Sequence, residues 1–226
     1  MQDQRKLDGA PSVDEIVEAA TDVLHEVGPA GLTLRRVARQ LGVPVQALHW
    51  HFADADELVL AAVDRALKAL PGPPPGPWDE RLVAYLVSLR EQVRPFEEAS
   101  QLASDAGLAI GDGAARLGET MMSLLAESGA QPERVGAAFR GLFVLIFGWS
   151  AEHAAARERA SDPLVRRRAK ALRAAAAAAH PLVAERLERI GRSDRPRAQD
   201  AAEAYRRLLA QVVDGLRREP STDPAW

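Results

Sequence analysis

Residues 32–52 read LTLRRVARQLGVPVQALHWHF, and the glycine at 42 with the proline at 44 confines this stretch to few shapes. Thr33 is a candidate N-cap. Leu34, Val37, Ala38 and Leu41 then form one apolar face at helical spacing. Gly42 is the residue most able to take a left-handed turn. Pro44 opens a second short helix, where its missing N–H costs nothing. In that helix Val45, Leu48 and Phe52 point inward. Gln46, Ala47, His49, Trp50 and His51 are left at its start and on its outer sides. Two short helices joined by a tight turn with glycine form a helix-turn-helix pattern. The second helix is of the kind that enters a DNA major groove.

Charge points the same way. No Asp or Glu occurs between Glu26 and Asp54, while Arg35, Arg36, Arg39, His49 and His51 all fall in that window. A positive, acid-free surface suits an approach to phosphates. The alternative is a small helical hairpin with solvated arginines. The whole chain has a formal net charge of -3, so it is not a generally basic binder, and any DNA contact must come from a local patch.

The 226 residues allow one large domain, or a small domain with a larger one. There is no cysteine, which excludes disulfides, thiolate catalysis and thiolate zinc sites and fits a cytoplasmic protein. The N-terminal MQDQRKLDGAP is too polar for a signal peptide. The apolar run at 141–150 is short for a membrane span, so no membrane partner is expected.

Residues 1–11 are expected to be a flexible tail. Ser12 with Glu15 makes a capping box, and Ile16, Ala19, Ala20, Val23, Leu24 and Val27 follow at helical spacing. Glycines at 28 and 31 end that helix. Asp54 with Glu57 starts a helix carrying Leu58, Val59, Ala62, Val63 and Leu67. The proline-rich PGPPPGP at 71–77 cannot be helix. Helical periodicity resumes at 78–93 through Leu82, Tyr85, Leu86 and Leu89. A short helix at 96–106 and a glycine loop after it precede a helix at 114–128 with Leu117, Met121, Leu124 and Leu125. A longer helix begins at Pro132, crowded with Val135, Phe139, Leu142, Phe143, Ile146, Phe147 and Trp149 on more than one face. Such a helix is central, or faces both its own core and a partner. A basic helix at 162–179, with Arg166, Arg167, Arg168, Lys170 and Arg173, is a solvated face or an acidic-partner site. Further helices are expected at 181–190 and at 201–218, the last with a stripe of Ala204, Leu208, Leu209, Val212, Val213 and Leu216. No segment alternates as a strand, so the fold class is all-α.

The block LTLRRVARQLGVPVQALHWHFADADEL, preceded by IVEAATDVLHEVGPAG, resembles the DNA-binding domain of the tetracycline-repressor (TetR) family. The resemblance covers about residues 12–60. More weakly, FGWSAEH at 147–153 and AYRRLLAQVVDGL near the C-terminus resemble the tetracycline-repressor type of C-terminal domain. The resemblance implies a helix-turn-helix domain at 12–60 and a larger helical effector-binding and dimerisation domain at 61–220. It also implies a homodimeric one-component regulator, acting as a repressor at a palindromic operator on double-stranded DNA and released by a small molecule. Two departures stand out. His49 occupies the place of the usual tyrosine before the Trp-His pair. The acidic Asp54, Asp56 and Glu57 replace a lysine that normally touches phosphate at the start of the fourth helix.

On this reading Arg35 reaches a base from outside the recognition helix, since arginine reads guanine bidentately. Gln46 is the best base reader within it, and Val45 and Ala47 suit a thymine methyl. Thr33, Arg36, Pro44, His49, Trp50 and His51 complete the DNA-facing set, as phosphate contacts or as packing that fixes register. Trp50 fits either the interface or the core. Phe96, Leu102, Met121, Phe143, Phe147 and Trp149 are candidate lining of an effector pocket, or simply core. The effector is expected to be medium-sized and largely apolar or aromatic. The tetracycline-type site uses a loop histidine, and ASDAGLAIGDG at 103–113 has none, although Glu152 and His153 resemble another part of that pattern. No cofactor and no metal site is expected. The histidines at 25, 153 and 180 set up no ligand or nucleophile spacing, and no catalytic motif is present. The rival readings are a helical interaction or scaffold protein, and a small-molecule-binding enzyme without DNA binding.

Overall fold

The computed structural model describes residues 11–99, 102, 111–164 and 198–218, with isolated positions at 167, 168, 170, 171, 174, 180, 182 and 185. Every regular element among them is helical. In order these are α1 (Val13–Val27), a 3-10 turn (Pro29–Gly31), α2 (Leu34–Leu41), α3 (Val45–His49), α4 (Ala55–Lys68), α5 (Trp78–Val93), a second 3-10 turn (Arg94–Ala99), α6 (Asp112–Ala126), α7 (Pro132–Ser161) and α8 (Ala198–Arg218).

The local signals explain the boundaries. The Ser12 hydroxyl accepts the Glu15 N–H at 3.3 Å, and the Glu15 carboxylate accepts the Ser12 N–H at 2.8 Å. The bond from the Ser12 N–H first, and the one the Ser12 hydroxyl donates to the same carboxylate oxygen at 2.8 Å, hold the Glu15 carboxyl below its usual range. Ser12→Ala should lower stability by about 1 kcal/mol, read as a shift in urea midpoint at unchanged slope. At α4 the Asp54 carboxylate accepts the Glu57 N–H at 2.9 Å, while Glu57 reaches back one residue further than expected, to the Ala53 N–H at 2.6 Å.

A single apolar core runs through both halves of the chain. α1 packs on α2 and α4, and α4 continues onto α5 and α6. α8 lies along α5, and α7 lies along α6 and the second 3-10 turn. Helix α4 crosses the expected division at residue 60, so its N-terminal turns serve the first three helices and its last turns serve the second half.

Several expectations are corrected here. The third helix ends at His49; the Trp50 and His51 turn then leads to Phe52, which is buried as expected. The segment after Val93 is a 3-10 turn at Arg94–Ala99, and the rest of the expected 96–106 helix lies outside the described residues except Leu102. α6 begins at Asp112 because a side chain of α4 caps it, as described below. α7 runs far beyond Trp149 to Ser161. On α8 the buried line is Tyr205, Leu209 and Val213, and Ala204 is exposed. Most of the expected 162–179 and 181–190 helices lie outside the described residues, as does the tail at 1–10. The apolar stretch of α7 is also longer than the run at 141–150: Pro132–His153 is long and apolar enough, by length and composition, to cross a membrane. Core helices of soluble proteins pass that same test. Only 17% of its most apolar window is buried within one chain, and the rest is half-buried or exposed.

Candidate nucleic-acid interface

The turn between α2 and α3 is built by the backbone. Gly42 sits at φ 70°, ψ 25°, a left-handed conformation that carries a penalty with any side chain. Its N–H donates to the Arg39 carbonyl at 3.2 Å, and the Val43 N–H donates to the Ala38 carbonyl at 3.0 Å. This pair of bonds is a Schellman ending, which closes α2 and turns the chain toward α3. Leu34, Val37, Ala38, Leu48 and Phe52 are buried in the common core, where α2 packs on α1 and α3 packs on α2. What remains outward is set by that packing.

Thr33, Arg35, Pro44, Gln46, His49, Trp50 and His51 are exposed, and Arg36, Val45 and Ala47 are half-buried. Trp50, for which the sequence left interface and core open, is 86% exposed. A tryptophan held that far out of the core, at the end of a short helix, presents a large rigid face and an N–H donor to whatever binds there. Two of the ten residues already have structural work. The Thr33 hydroxyl caps α2 by accepting the Arg36 N–H at 3.2 Å. The Arg36 guanidinium folds back and donates through Nη1 to the Gly31 carbonyl at 3.1 Å, bracing the turn after α1. Arg35 has no such internal tie among the described bonds. A cleft of about 400 Å³ lies alongside, lined by Glu26, Val27, Arg36, Arg39 and Gln40.

The candidate effector residues are distributed differently. Phe96 and Met121 are buried, and Leu102, Phe143, Phe147 and Trp149 are half-buried. Phe139, Phe143 and Phe147 form a ladder on α7, with ring centroids 6.1 and 4.4 Å apart. Phe96 reaches the His25 ring of α1 at 6.1 Å, a contact between the two halves. None of the six borders either described cleft. The smaller cleft, about 20 Å³, lies among Trp78, Leu125, Val135 and Leu216.

Sequence reasoning missed the junction between α4 and α6. Asp64 is 6% exposed, and its Oδ1 accepts the Gly113 and Ala114 N–H groups at 2.8 and 3.2 Å. It thereby caps the start of α6 from within α4. The Lys68 ammonium pairs with its other oxygen at 2.9 Å, and this partner raises the Lys68 pKa. Arg116 returns the favour by donating to the Leu67 and Lys68 carbonyls that end α4. A Cβ on Gly113 would stand 2.4 Å from the Asp64 carbonyl oxygen, so only glycine permits this approach. The available signal was an aspartate on the apolar face of α4, one position after Val63.

The fold and this surface define a helix-turn-helix protein with a larger helical body. Residues 16–62 match the family model described as bacterial regulatory proteins, tetR family. Among curated relatives, the class A tetracycline repressor protein from transposon 1721 of Escherichia coli is 44% identical over 52 residues, 23% of this chain and 24% of that one. An HTH-type transcriptional regulator of Saccharopolyspora erythraea is 30% identical over 118 residues, 51% of this chain and 50% of that one. The matches thus span half or less of the relatives' lengths. Among solved structures, a transcriptional regulator from Streptomyces coelicolor aligns with TM-score 0.68 at 25% identity, over 92% of this chain and 97% of that one. BioQ with its double-stranded DNA operator aligns with TM-score 0.63 at 22% identity, over 92% and 99%. ActR of Streptomyces coelicolor in complex with (S)-DNPA aligns with TM-score 0.68 at 22% identity, over 92% and 97%. The likeness therefore extends in fold over most of the chain, and in the family model over residues 16–62.

Proposed function

We propose that the chain is a one-component transcriptional repressor that binds a palindromic operator as a homodimer and leaves it when a small molecule binds the C-terminal half. Residues 12–60 act as the reading head, and residues 61–220 as the effector and dimerisation domain. The carrying observation is the α2–Gly42–α3 unit. Its apolar residues are consumed by the core, while Arg35, Gln46, His49, Trp50 and His51 stand exposed in a window free of acidic side chains. Relatives named as repressors, and a fold neighbour solved on its operator, support this reading. A neighbour solved with a small molecule supports the effector. The protein has no catalytic role in this account and works in the cytoplasm.

Within this reading, Arg35 and Gln46 contact base edges, and Val45 and Ala47 contact a thymine methyl. Thr33, Arg36, Pro44, His49, Trp50 and His51 position the backbone. Arg35→Ala should weaken operator binding by about 1–3 kcal/mol and relax sequence preference. The check is affinity for operator and scrambled duplexes at one salt concentration. Equal losses on both would make Arg35 a phosphate contact only.

The homodimer reading rests on α7. Ala137, Gly141, Val144 and Gly148 are exposed at spacings of four, three and four, and Val144 is 70% exposed. A Cβ on Gly141 or Gly148 would meet nothing within 4 Å. Small residues along an apolar helix let a second helix approach closely. The half-buried Leu208, Val212 and Leu216 of α8 extend the same need for cover, and two copies would form a four-helix contact. Dimerisation places two recognition helices about 34–36 Å apart, or a multiple of this, to read two half-sites.

A further inference from the structure

Among the described residues, three buried polar atoms have no hydrogen-bond partner: Nε of Arg90 on α5, Nε1 of Trp149 on α7 and the hydroxyl of Tyr205 on α8. Arg90 is 7% and Tyr205 1% exposed. They form one cluster. The Arg90 Cζ stands 5.5 Å from the centroid of the Tyr205 ring, and the Trp149 ring is 5.4 Å from it. Buried polar groups are nearly always paired, and a lone unpaired donor is costly. Three stand together on three different helices, their rings and guanidinium in contact while these N–H and O–H groups have no acceptor.

Their chemistry specifies what is missing. The Arg90 and Trp149 groups are donors only. Burial pushes the Tyr205 phenol up, against the smaller opposing effect of Arg90, so its proton stays on. Arg90 Nη1 is occupied by Glu91 at 2.7 Å, but that carboxylate is half-exposed and also lies 3.8 Å from Arg94. The inner Nε–H is left to serve the cluster. All three groups lack an acceptor. The outer side is aromatic: His153 stacks on Trp149 at 4.7 Å, and both are half-buried while Arg90 and Tyr205 are buried. The His153 Nδ1 donates to the Trp149 carbonyl at 3.0 Å, because a carbonyl can only accept, and this fixes the ring orientation.

We propose that Arg90, Trp149 and Tyr205 form the binding site for the acid group of a planar aromatic carboxylate, with the ligand's ring against Trp149 and His153. The proposal rests on the effector reading above and deepens it. It also moves the site: of the six residues singled out from sequence, only Trp149 belongs to it.

The test is calorimetric titration of the full chain with 2-naphthoate and with its neutral isostere 2-naphthamide. Naphthoate should bind, and the amide should bind at least about tenfold more weakly, since it lacks the charge that strengthens these bonds. Tyr205→Phe, which removes one oxygen and keeps the ring, should weaken naphthoate by about tenfold and the amide, whose neutral carbonyl is a weaker acceptor, by less. Arg90→Gln should do the same; if it fails to fold, Tyr205→Phe alone decides. Without ligand, Tyr205→Phe should be no less stable than the parent, because the hydroxyl it removes has no partner. Absence of naphthoate binding at millimolar concentration, equal binding of acid and amide, or binding indifferent to Tyr205→Phe would overturn the proposal. Operator binding measured on the same samples separates the two readings. Intact operator binding with no naphthoate binding removes this site alone. Tyrosine-dependent naphthoate binding without preference for any duplex removes the regulatory role and keeps the site.

Discussion

Val144→Asp combined with Gly148→Asp should convert the protein to a monomer and lower its operator affinity by roughly two orders of magnitude or more. Both positions are exposed in a single chain, so the substitution costs the protomer little. In a two-fold contact each charge would face its own copy, and unpaired charges buried in an interface cost several kcal/mol. A monomer then reads one half-site, losing the gain of simultaneous engagement. Sedimentation and duplex titration on the same sample are the measurements. A dimer that survives both substitutions would place the contact elsewhere and return the exposed face of α7 to some other partner.

Asp64→Ala should cost about 3 kcal/mol of stability, the largest effect expected of any single change described. It strips the acceptor from two backbone N–H groups at the buried start of α6, and each buried orphan costs about 1–3 kcal/mol. Lys68→Met should cost under about 1 kcal/mol, since the lysine is half-exposed and its pair with Asp64 is screened by solvent. Urea unfolding of the two variants checks the order. Comparable losses would mean that the ion pair, rather than the helix cap, holds α4 to α6. On the proposed regulatory reading the junction would also matter. α4 carries this cap at its end and packs on α1, so a shift of α6 would be passed to the first half through α4 and α1. A ligand moves the equilibrium only through unequal affinity for two such arrangements.

How far the sequence could be read follows from the range of the interactions involved. The reading head was legible because its determinants are local. Ser12 with Glu15, Thr33, Gly42, Pro44 and Asp54 act within four residues, and each stands where the structure uses it. Helix α5 was legible for the same reason, through Leu82, Tyr85, Leu86 and Leu89. The exposure of Trp50 was not, because a tryptophan beside Leu48 and Phe52 suits either face until the helix is seen to end at His49. The α4–α6 cap joins residues 49 and 50 positions apart, and no periodicity reports such a bond. The Arg90, Trp149 and Tyr205 cluster comes from three helices. Trp149 was singled out as candidate lining, and Tyr205 also had a signal, standing four residues before Leu209 on the apolar stripe where Ala204 was placed instead; Arg90 had none.

The central claim is that the α2–α3 unit reads a particular duplex. It is tested most directly by titrating the protein against a duplex from its own promoter region and a scrambled duplex of equal composition, over a series of salt concentrations. The account predicts tighter binding to the promoter duplex at every salt. It also predicts a linear fall of log affinity with log salt, steep enough to report several phosphate contacts. Arg35→Ala should narrow the gap between the two duplexes. Equal affinity for both duplexes across the whole series would contradict it.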